Sequence, residues 1–278
     1  MPGDTLRSSA LEATAHWTAA ARAGESERSD GLFVDPWAAS LAGPVGMSWL
    51  AQRTPDAVLP MVIRTRYFDD WLGSVAGRDG IRQIVFMAAG LDTRAYRLQW
   101  PDGTRLFELD REAVLSHKDG VLRAAGATPT CARHAVDADL TRDWADGLLA
   151  AGFDPAQPSG WLLEGLLFYL ADEDIARLLD GVTSLAATGS RLGFDVINEA
   201  VLTSPWTRPW VEMQAQAGAP WIGTMDDPQS FLADRGWRAA LTQAGQPDAN
   251  HGRWTLPVMP TTMPGMPHSW YVTAQRDA

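Results

Sequence analysis

Apolar positions along this chain fall into two rhythms. Short, nearly continuous apolar runs occur at Ile81 to Met87, Thr104 to Leu109, Thr130 to Val136, Gly160 to Leu163 and Arg191 to Ile197. Between them, apolar residues recur at three- and four-residue steps. The first pattern predicts strands buried on both faces and the second predicts amphipathic helices. The plainest helix begins at Asp172, with Ile175, Leu178, Leu179, Val182 and Leu185 on one face and Asp172 placed to cap it. Strands and helices in alternation imply an α/β fold built on a parallel sheet covered on both sides. After Ile197 the rhythm changes to a tryptophan-rich helical stretch, Glu199 to Gln216, and a short helix near Ser230. Two last strands follow, Gly236 to Leu241 and Ser269 to Ala274, expected as an antiparallel pair around a Pro/Met-rich loop.

Ahead of the first strand, Ala10 to Ala23 and Pro55 to Val75 read as helices. They are expected to close the edge of the sheet where the strands' carboxyl ends gather, because ligands of open α/β sheets bind there. Glu199 to Gln216 is the second candidate for such a lid. The chain is read as one domain with four parts: a helical cap (1–79), a cofactor-binding core (80–197), a lid (198–235) and C-terminal strands (236–278).

Composition narrows the function. At 278 residues and 46% hydrophobic content a full core is within reach. The 34 acids against 23 bases give a net charge of -11, which repels a phosphate backbone and argues against a nucleic-acid partner. The single cysteine, Cys131, is placed in the third strand's core and has no partner for a disulfide, and no Cys/His spacing suggests a metal. With no signal-like leader and no membrane-length apolar run, a soluble, cytoplasmic protein is expected.

The candidate chemistry sits at strand ends. The first strand runs into Ala88-Ala89-Gly90-Leu91-Asp92, where small residues expose backbone to a charged ligand. About twenty residues on, Glu108-Leu109-Asp110 puts carboxylates where a ribose edge is bound. After the third strand, Asp139 and Leu140 suit a purine's exocyclic amine and ring face, although Asp there is equally a helix cap. Glu164 interrupts the apolar run from Trp161 to Leu170, so it meets either a ligand ammonium or a local amide or arginine. In Pro55 to Val75, Arg64 shares a face with Phe68 and Trp71, whereas Arg66 pairs with Asp70 at helical spacing. A buried arginine needs an anion: a ligand carboxylate, or an acid from another element. Among the histidines only His16 and His251 are placed to reach a substrate, and neither has a partner that marks a base. Trp206, Trp210 and Trp221 in the lid suit a flat or apolar substrate.

These segments together resemble the leucine carboxyl methyltransferase-like family of class I S-adenosylmethionine-dependent methyltransferases, which includes bacterial members acting on polyketide carboxylates. The resemblance covers nearly the whole chain. It rests on Arg64-Thr65-Arg66-Tyr67-Phe68-Asp69-Asp70, on Ala88 to Leu98, on Phe107 to Asp110, and on Gly152-Phe153-Asp154-Pro155 followed by Glu164 to Leu170. It implies a Rossmann-like, seven-stranded, mostly parallel sheet with helices on both faces and a helical N-terminal cap. For the cofactor it implies Arg64, with Arg22 as a second cation, on the methionyl carboxylate, and Glu164 on the ammonium. Ala88 and Gly90 would lie at the methionine moiety, Asp110 at the ribose, and Asp139 with Leu140 at the adenine. Ala88 stands where relatives often carry glycine.

The activity so implied is methyl transfer to a small-molecule oxygen in secondary metabolism. A carboxylate of a polyketide-like or aromatic molecule is the expected acceptor, because it is already ionised near neutral pH and needs no base; a phenol or alcohol, which would need one, is the alternative. Two rivals remain on the residues alone. A nicotinamide-dependent oxidoreductase would share the strand ends but lacks its three-glycine turn here, and a non-catalytic S-adenosylmethionine-binding protein would share everything but turnover.

Overall fold

The computed structural model describes the backbone of residues 2–277 and the side chains of residues 14–277. Seven strands form one sheet: β1 (Gln83–Met87), β2 (Arg105–Asp110), β3 (Ala132–Asp137), β4 (Ser159–Leu163), β5 (Arg191–Ile197), β6 (Trp237–Thr242) and β7 (Ser269–Arg276), in the order β3-β2-β1-β4-β5-β7-β6. The first five run parallel. β7 lies antiparallel between β5 and β6, pairing Phe194 with Val272 and Leu241 with Val272. This is the mostly parallel, seven-stranded sheet expected from the sequence.

The continuous apolar runs have their cause in the two covered faces. Along β1, Val85 and Met87 join a core with Phe107, Trp161, Phe194 and the helix α7 (Asp172–Leu185), while Ile84 and Phe86 join a second core with Phe68 and Leu72. Phe68 and Leu72 belong to α3 (Pro55–Gly73), which runs on through a π turn at Ser74–Arg78. α5 (Glu112–Ala124) and α6 (Ala145–Ala150) complete the crossovers, and a single turn, α4 (Arg94–Arg97), follows the β1 loop. The chain leaves β1 outward to β2 and β3, then returns to β4 on β1's other side. That reversal opens a crevice between β1 and β4 at the strands' carboxyl ends.

Over this edge lie α1 (Pro2–Ser26) and α2 (Ala38–Ala51). Small residues let them approach closely: a Cβ on Gly46 would stand 2.5 Å from the His16 carbonyl. Periodicity did not show α2 because Gly43, at φ 58, and Pro44 break it in the middle. α8 (Glu199–Thr203) and α9 (Arg208–Gln216) form the tryptophan-rich stretch, and α10 (Pro228–Ala233) packs Leu232 into the sheet's core.

Two local expectations are corrected. Asp172 does not cap α7; Ala171 holds that position, and Asp172 accepts from the Thr224 amide at 3.2 Å. Cys131 precedes β3 and is only half-buried, with its thiol pushed up to about 12 by burial.

Candidate functional site

A cavity of about 360 Å³ lies at the crevice between β1 and β4. Its floor is the turn after β1, where Ala88 (φ 55) and Gly90 (φ 48) both take the left-handed conformation. Glycine adopts it freely; alanine pays about 1–2 kcal/mol. The turn directs the Gly90 amide onto Asp110 Oδ2 at 2.6 Å, and the Arg111 amide donates to Oδ1 at 2.7 Å. Each Asp110 oxygen keeps a lone pair for one of two neighbouring hydroxyls. Burial lifts the Asp110 carboxyl above its usual range, against the pull of those two amides.

Behind this floor runs a chain of buried ion pairs. Arg64 donates from Nε to Glu164 Oε1 (3.0 Å) and from Nη1 to Asp195 Oδ2 (2.7 Å). The other Glu164 oxygen lies 2.8 Å from Arg94 Nη1. Arg94 also donates to Asp69 (2.6 Å) and lies against Asp92, and Arg97 grips both Asp69 oxygens. Arg22 binds Asp35 at 2.8 Å and the Leu91 carbonyl at 2.6 Å. Burial pushes Asp69 and Asp92 upward, but the arginines outweigh it and hold both carboxyls below the usual range. Burial wins at Asp195, which is raised despite Arg64. The guanidinium of Arg64 stays cationic, since Asp195 and Glu164 together overcome the cost of burying it.

Of the residues singled out in the sequence, Arg22, Arg64, Ala88, Gly90, Asp110, Asp139, Leu140 and Glu164 all line this one cavity. For Arg64 the structure shows the second of the two partners weighed above, acids from other elements. Its five N–H donors exceed the two bonds described, which leaves donors for a ligand carboxylate. Asp139 accepts from the amide and hydroxyl of Thr141, which more than offset burial and hold its carboxyl low.

Other residues fall elsewhere. His16 contacts the Leu41 and Ala42 carbonyls through Nδ1, and His251 lies 4.0 Å from Asp70; neither lines the cavity. Glu108 does not line it and is fully buried between Lys118 (2.7 Å) and Arg133 (2.8 Å). Gly152 to Pro155 lies at the sheet's opposite edge, where Gln83 clasps the Asp154 backbone. Trp210 and Trp221 line the cavity, whereas Trp206 is 66% exposed. Sequence reasoning missed Asp195, although it breaks the apolar strand Leu192 to Ile197 just as Glu164 breaks its own run. It also gave no role to Asp69 and Arg94, whose mutual contact no spacing reveals.

The donor set fits S-adenosyl-L-methionine. Five carboxylates (Asp92, Asp110, Asp139, Glu164, Asp195) face three arginines (Arg22, Arg64, Arg111) across the lining, a surplus that suits a cationic nucleoside and would repel a dinucleotide's pyrophosphate. Among the described residues no group of side chains could hold a metal, and no helix is long and apolar enough to cross a membrane.

Comparison with known proteins agrees with this geometry. A family model described as leucine carboxyl methyltransferase matches residues 15–183. A protein of Parafrankia sp. named "Putative S-adenosyl-L-methionine-dependent methyltransferase" is 43% identical over 252 residues, covering 85% of this chain and 79% of its own. One of the same name from Saccharopolyspora erythraea is 40% identical and covers 95% of each chain. In fold, the chain is similar to a DUF574 family protein from Streptomyces avermitilis, with a TM-score of 0.60 at 15% identity, over 93% of this chain and 96% of that one.

Proposed function

The chain belongs to the leucine carboxyl methyltransferase family and is an S-adenosyl-L-methionine-dependent methyltransferase, and from that premise we propose that it methylates a carboxylate oxygen of a small, largely apolar acceptor. One observation carries the choice of acceptor. Among the described side chains lining the cavity there is no histidine, cysteine or lysine, and its two tyrosines, Tyr169 and Tyr271, are both pushed above their ordinary range by burial. The remaining candidates for a base are carboxylates, too weak to ionise a phenol or alcohol whose pKa is about 10 or higher. An acceptor carboxylate arrives ionised.

When bound, S-adenosyl-L-methionine would supply an electrophilic methyl on its sulfonium, open to in-line attack by the acceptor oxygen with S-adenosylhomocysteine as the leaving group. The protein's part is positioning. In our reading Asp110 takes the ribose hydroxyls, Asp139 and Leu140 hold the adenine, and the backbone at Ala88 and Gly90 lies against the methionine moiety. Arg64 takes the amino-acid carboxylate, and Glu164, with Asp195 beside it, takes the ammonium. Arg22 holds the Leu91 carbonyl, so its share is to fix the loop that bears Gly90. Trp17 and Trp49, stacked at 5.4 Å, join Phe168, Trp210 and Trp221 as apolar walls for the acceptor and against water. On this assignment Trp17 and Trp49 from the cap and Trp210 and Trp221 from 198–235 enclose the acceptor, while 80–197 carries the cofactor together with Arg64 of the cap.

The test uses labelled methyl donor and a panel of aromatic and aliphatic carboxylic acids beside the matching phenols and alcohols. A base-labile methyl ester is the expected product. Transfer to phenols alone would refute the proposed acceptor without touching the cofactor assignment.

A further inference from the structure

Lys118, in the middle of α5, has no solvent exposure at all, an uncommon state for a lysine. Its Nζ lies 2.7 Å from Glu108 Oε2 and donates to the Asp92 carbonyl at 3.1 Å. Arg133 already donates to the same Glu108 oxygen from Nε at 2.8 Å, with Nη2 also at 2.8 Å, so pairing Glu108 does not by itself call for a second cation. An apolar side chain of similar volume would usually serve packing as well. What the lysine adds is its reach to the turn after β1. There Arg22, from α1, holds the Leu91 carbonyl at 2.6 Å, so two cations from two helices grip consecutive carbonyls. The start of the turn is held by the Ala89 amide on the Leu109 carbonyl (3.0 Å) and by the Gly90 amide on Asp110 (2.6 Å). Left-handed backbone at Ala88 and Gly90 persists only where its surroundings fix it from several sides.

Resting on the cofactor assignment above, we infer that Lys118 is a positioning residue for S-adenosyl-L-methionine, holding the turn so that the Gly90 amide meets Asp110 and the backbone at Ala88 and Gly90 lies where the methionine moiety docks. It touches no reactant and acts through the Asp92 carbonyl. Its charge has a second effect. Burial raises the Asp110 carboxyl, and the Gly90 and Arg111 amides, then Lys118 and the Arg111 side chain, pull it back down. Of the other elements around Asp110, the β1 turn brings Asp92, the end of β3 brings Asp137 and Asp139 with Arg142 beyond, and α1 brings Arg22, which is taken up by Asp35. Besides Lys118, α5 brings the acid Glu112. Losing Lys118 therefore leaves Asp110 easier to protonate.

Two variants isolate this. S-adenosylhomocysteine, and sinefungin, whose amine replaces the methylsulfonium, are titrated calorimetrically into wild type, into Lys118→Met, and into Lys118→Met combined with Glu108→Gln. Glu108 keeps Arg133 in the single variant, and Arg133 keeps Asp119 at 2.9 Å in the double one, so both are expected to fold. Lys118→Met is expected to bind each ligand about tenfold more weakly, the loss typical of one charge-assisted hydrogen bond. The pH below which S-adenosylhomocysteine binding fades is expected to lie higher in Lys118→Met than in wild type, because the more easily protonated Asp110 stops accepting the ribose hydroxyls sooner on acidification. Adding Glu108→Gln should recover melting temperature, since it removes the unbalanced acid, while the affinity stays low. Affinity that returns together with the melting temperature, or a pH midpoint that does not move, makes Lys118 a residue of the fold alone and overturns the inference. Wild-type affinity for S-adenosylhomocysteine in Asp110→Asn overturns the cofactor assignment itself.

Discussion

Replacing Arg64 by methionine removes one guanidinium from the buried chain and strands its two acids unequally. Glu164 keeps Arg94 at 2.8 Å, whereas Asp195, 3% exposed, keeps among the described residues only the Gly165 amide at 2.6 Å. The penalty therefore falls on Asp195. Removing one partner of a buried pair costs about 3–5 kcal/mol. With one amide still in place and the Arg64 side chain 14% exposed, we expect the lower end, about 3 kcal/mol. At roughly 2–4 °C per kcal/mol for a domain near this size, the melting temperature should fall by about 6–12 °C. Arg64→Met with Asp195→Asn should recover at least half, because the second change removes the stranded charge. The pH dependence has a definite sign. Burial already raises the Asp195 carboxyl, and losing Arg64 raises it further. The deficit is thus full above that raised value and shrinks as pH falls through it and the orphan carboxyl takes a proton. Scanning calorimetry from neutral to mildly acidic pH measures all three quantities. A double variant no more stable than the single one, or a deficit that grows on acidification, would refute the reasoning. For the cofactor role, Arg64→Met should bind S-adenosylhomocysteine at least tenfold more weakly yet hold adenosine as before. Equal loss of both ligands would assign the effect to a distorted site instead.

Three further outcomes follow from the same geometry. Asp110 is raised while Asp69 and Asp92 are lowered, so the stability owed to the latter two survives until pH falls through their depressed values, after Asp110 has protonated. On mild acidification the chain should lose cofactor affinity while circular dichroism still reports it folded; coincident transitions would contradict this. Ala88→Gly trades about 1–2 kcal/mol of left-handed strain for about 0.5–1 of backbone entropy, and should raise the melting temperature by a few degrees at most, with a fall ruling out strain at Ala88. Because acids outnumber arginines around the cavity, a carboxylate acceptor should bind at least fivefold more tightly to the sinefungin complex than to the free protein, and indifference to the cation would show that the lining's charge does not act on it.

What the sequence made legible is what local pattern controls. β5 was delimited residue for residue as Arg191–Ile197 because both of its faces are apolar and its flanks are polar. The helix after Asp172 was equally plain, because Ile175, Leu178, Leu179 and Val182 all reach one core. Glu164 and Arg64 stood out as charges on apolar surfaces. The misses share a physical cause as well. α2 is kinked by Gly43-Pro44, so no single period runs through it. Glu108 shares a face of β2 with Asp110, but it lies one step back from the strand's carboxyl end, where Lys118 and Arg133 enclose it. Asp69 and Arg94 are 25 residues apart, and their contact depends on how α3 lies across the β1 turn, which no local pattern encodes.

That contact also explains why the two charged motifs occur together. Asp69, from the segment beginning at Arg64, takes both Arg94 and Arg97, from the segment beginning at Ala88. In return Arg94 donates to the Thr65 carbonyl and reaches Glu164 from the other side. Buried ion pairs are poor sources of stability, since apolar residues of the same volume usually do as well. Four arginines in one water-poor region are therefore hard to justify by folding alone. They do what apolar packing cannot: hold Asp69 and Asp92 ionised and fix Glu164 and Asp195 in place on the edge of a cavity, so that little reorganisation is left when a charged ligand enters. On the proposed cofactor assignment Arg94 and Asp69 act as positioning residues for Glu164, and the family's motifs form one electrostatic frame rather than two separate signatures.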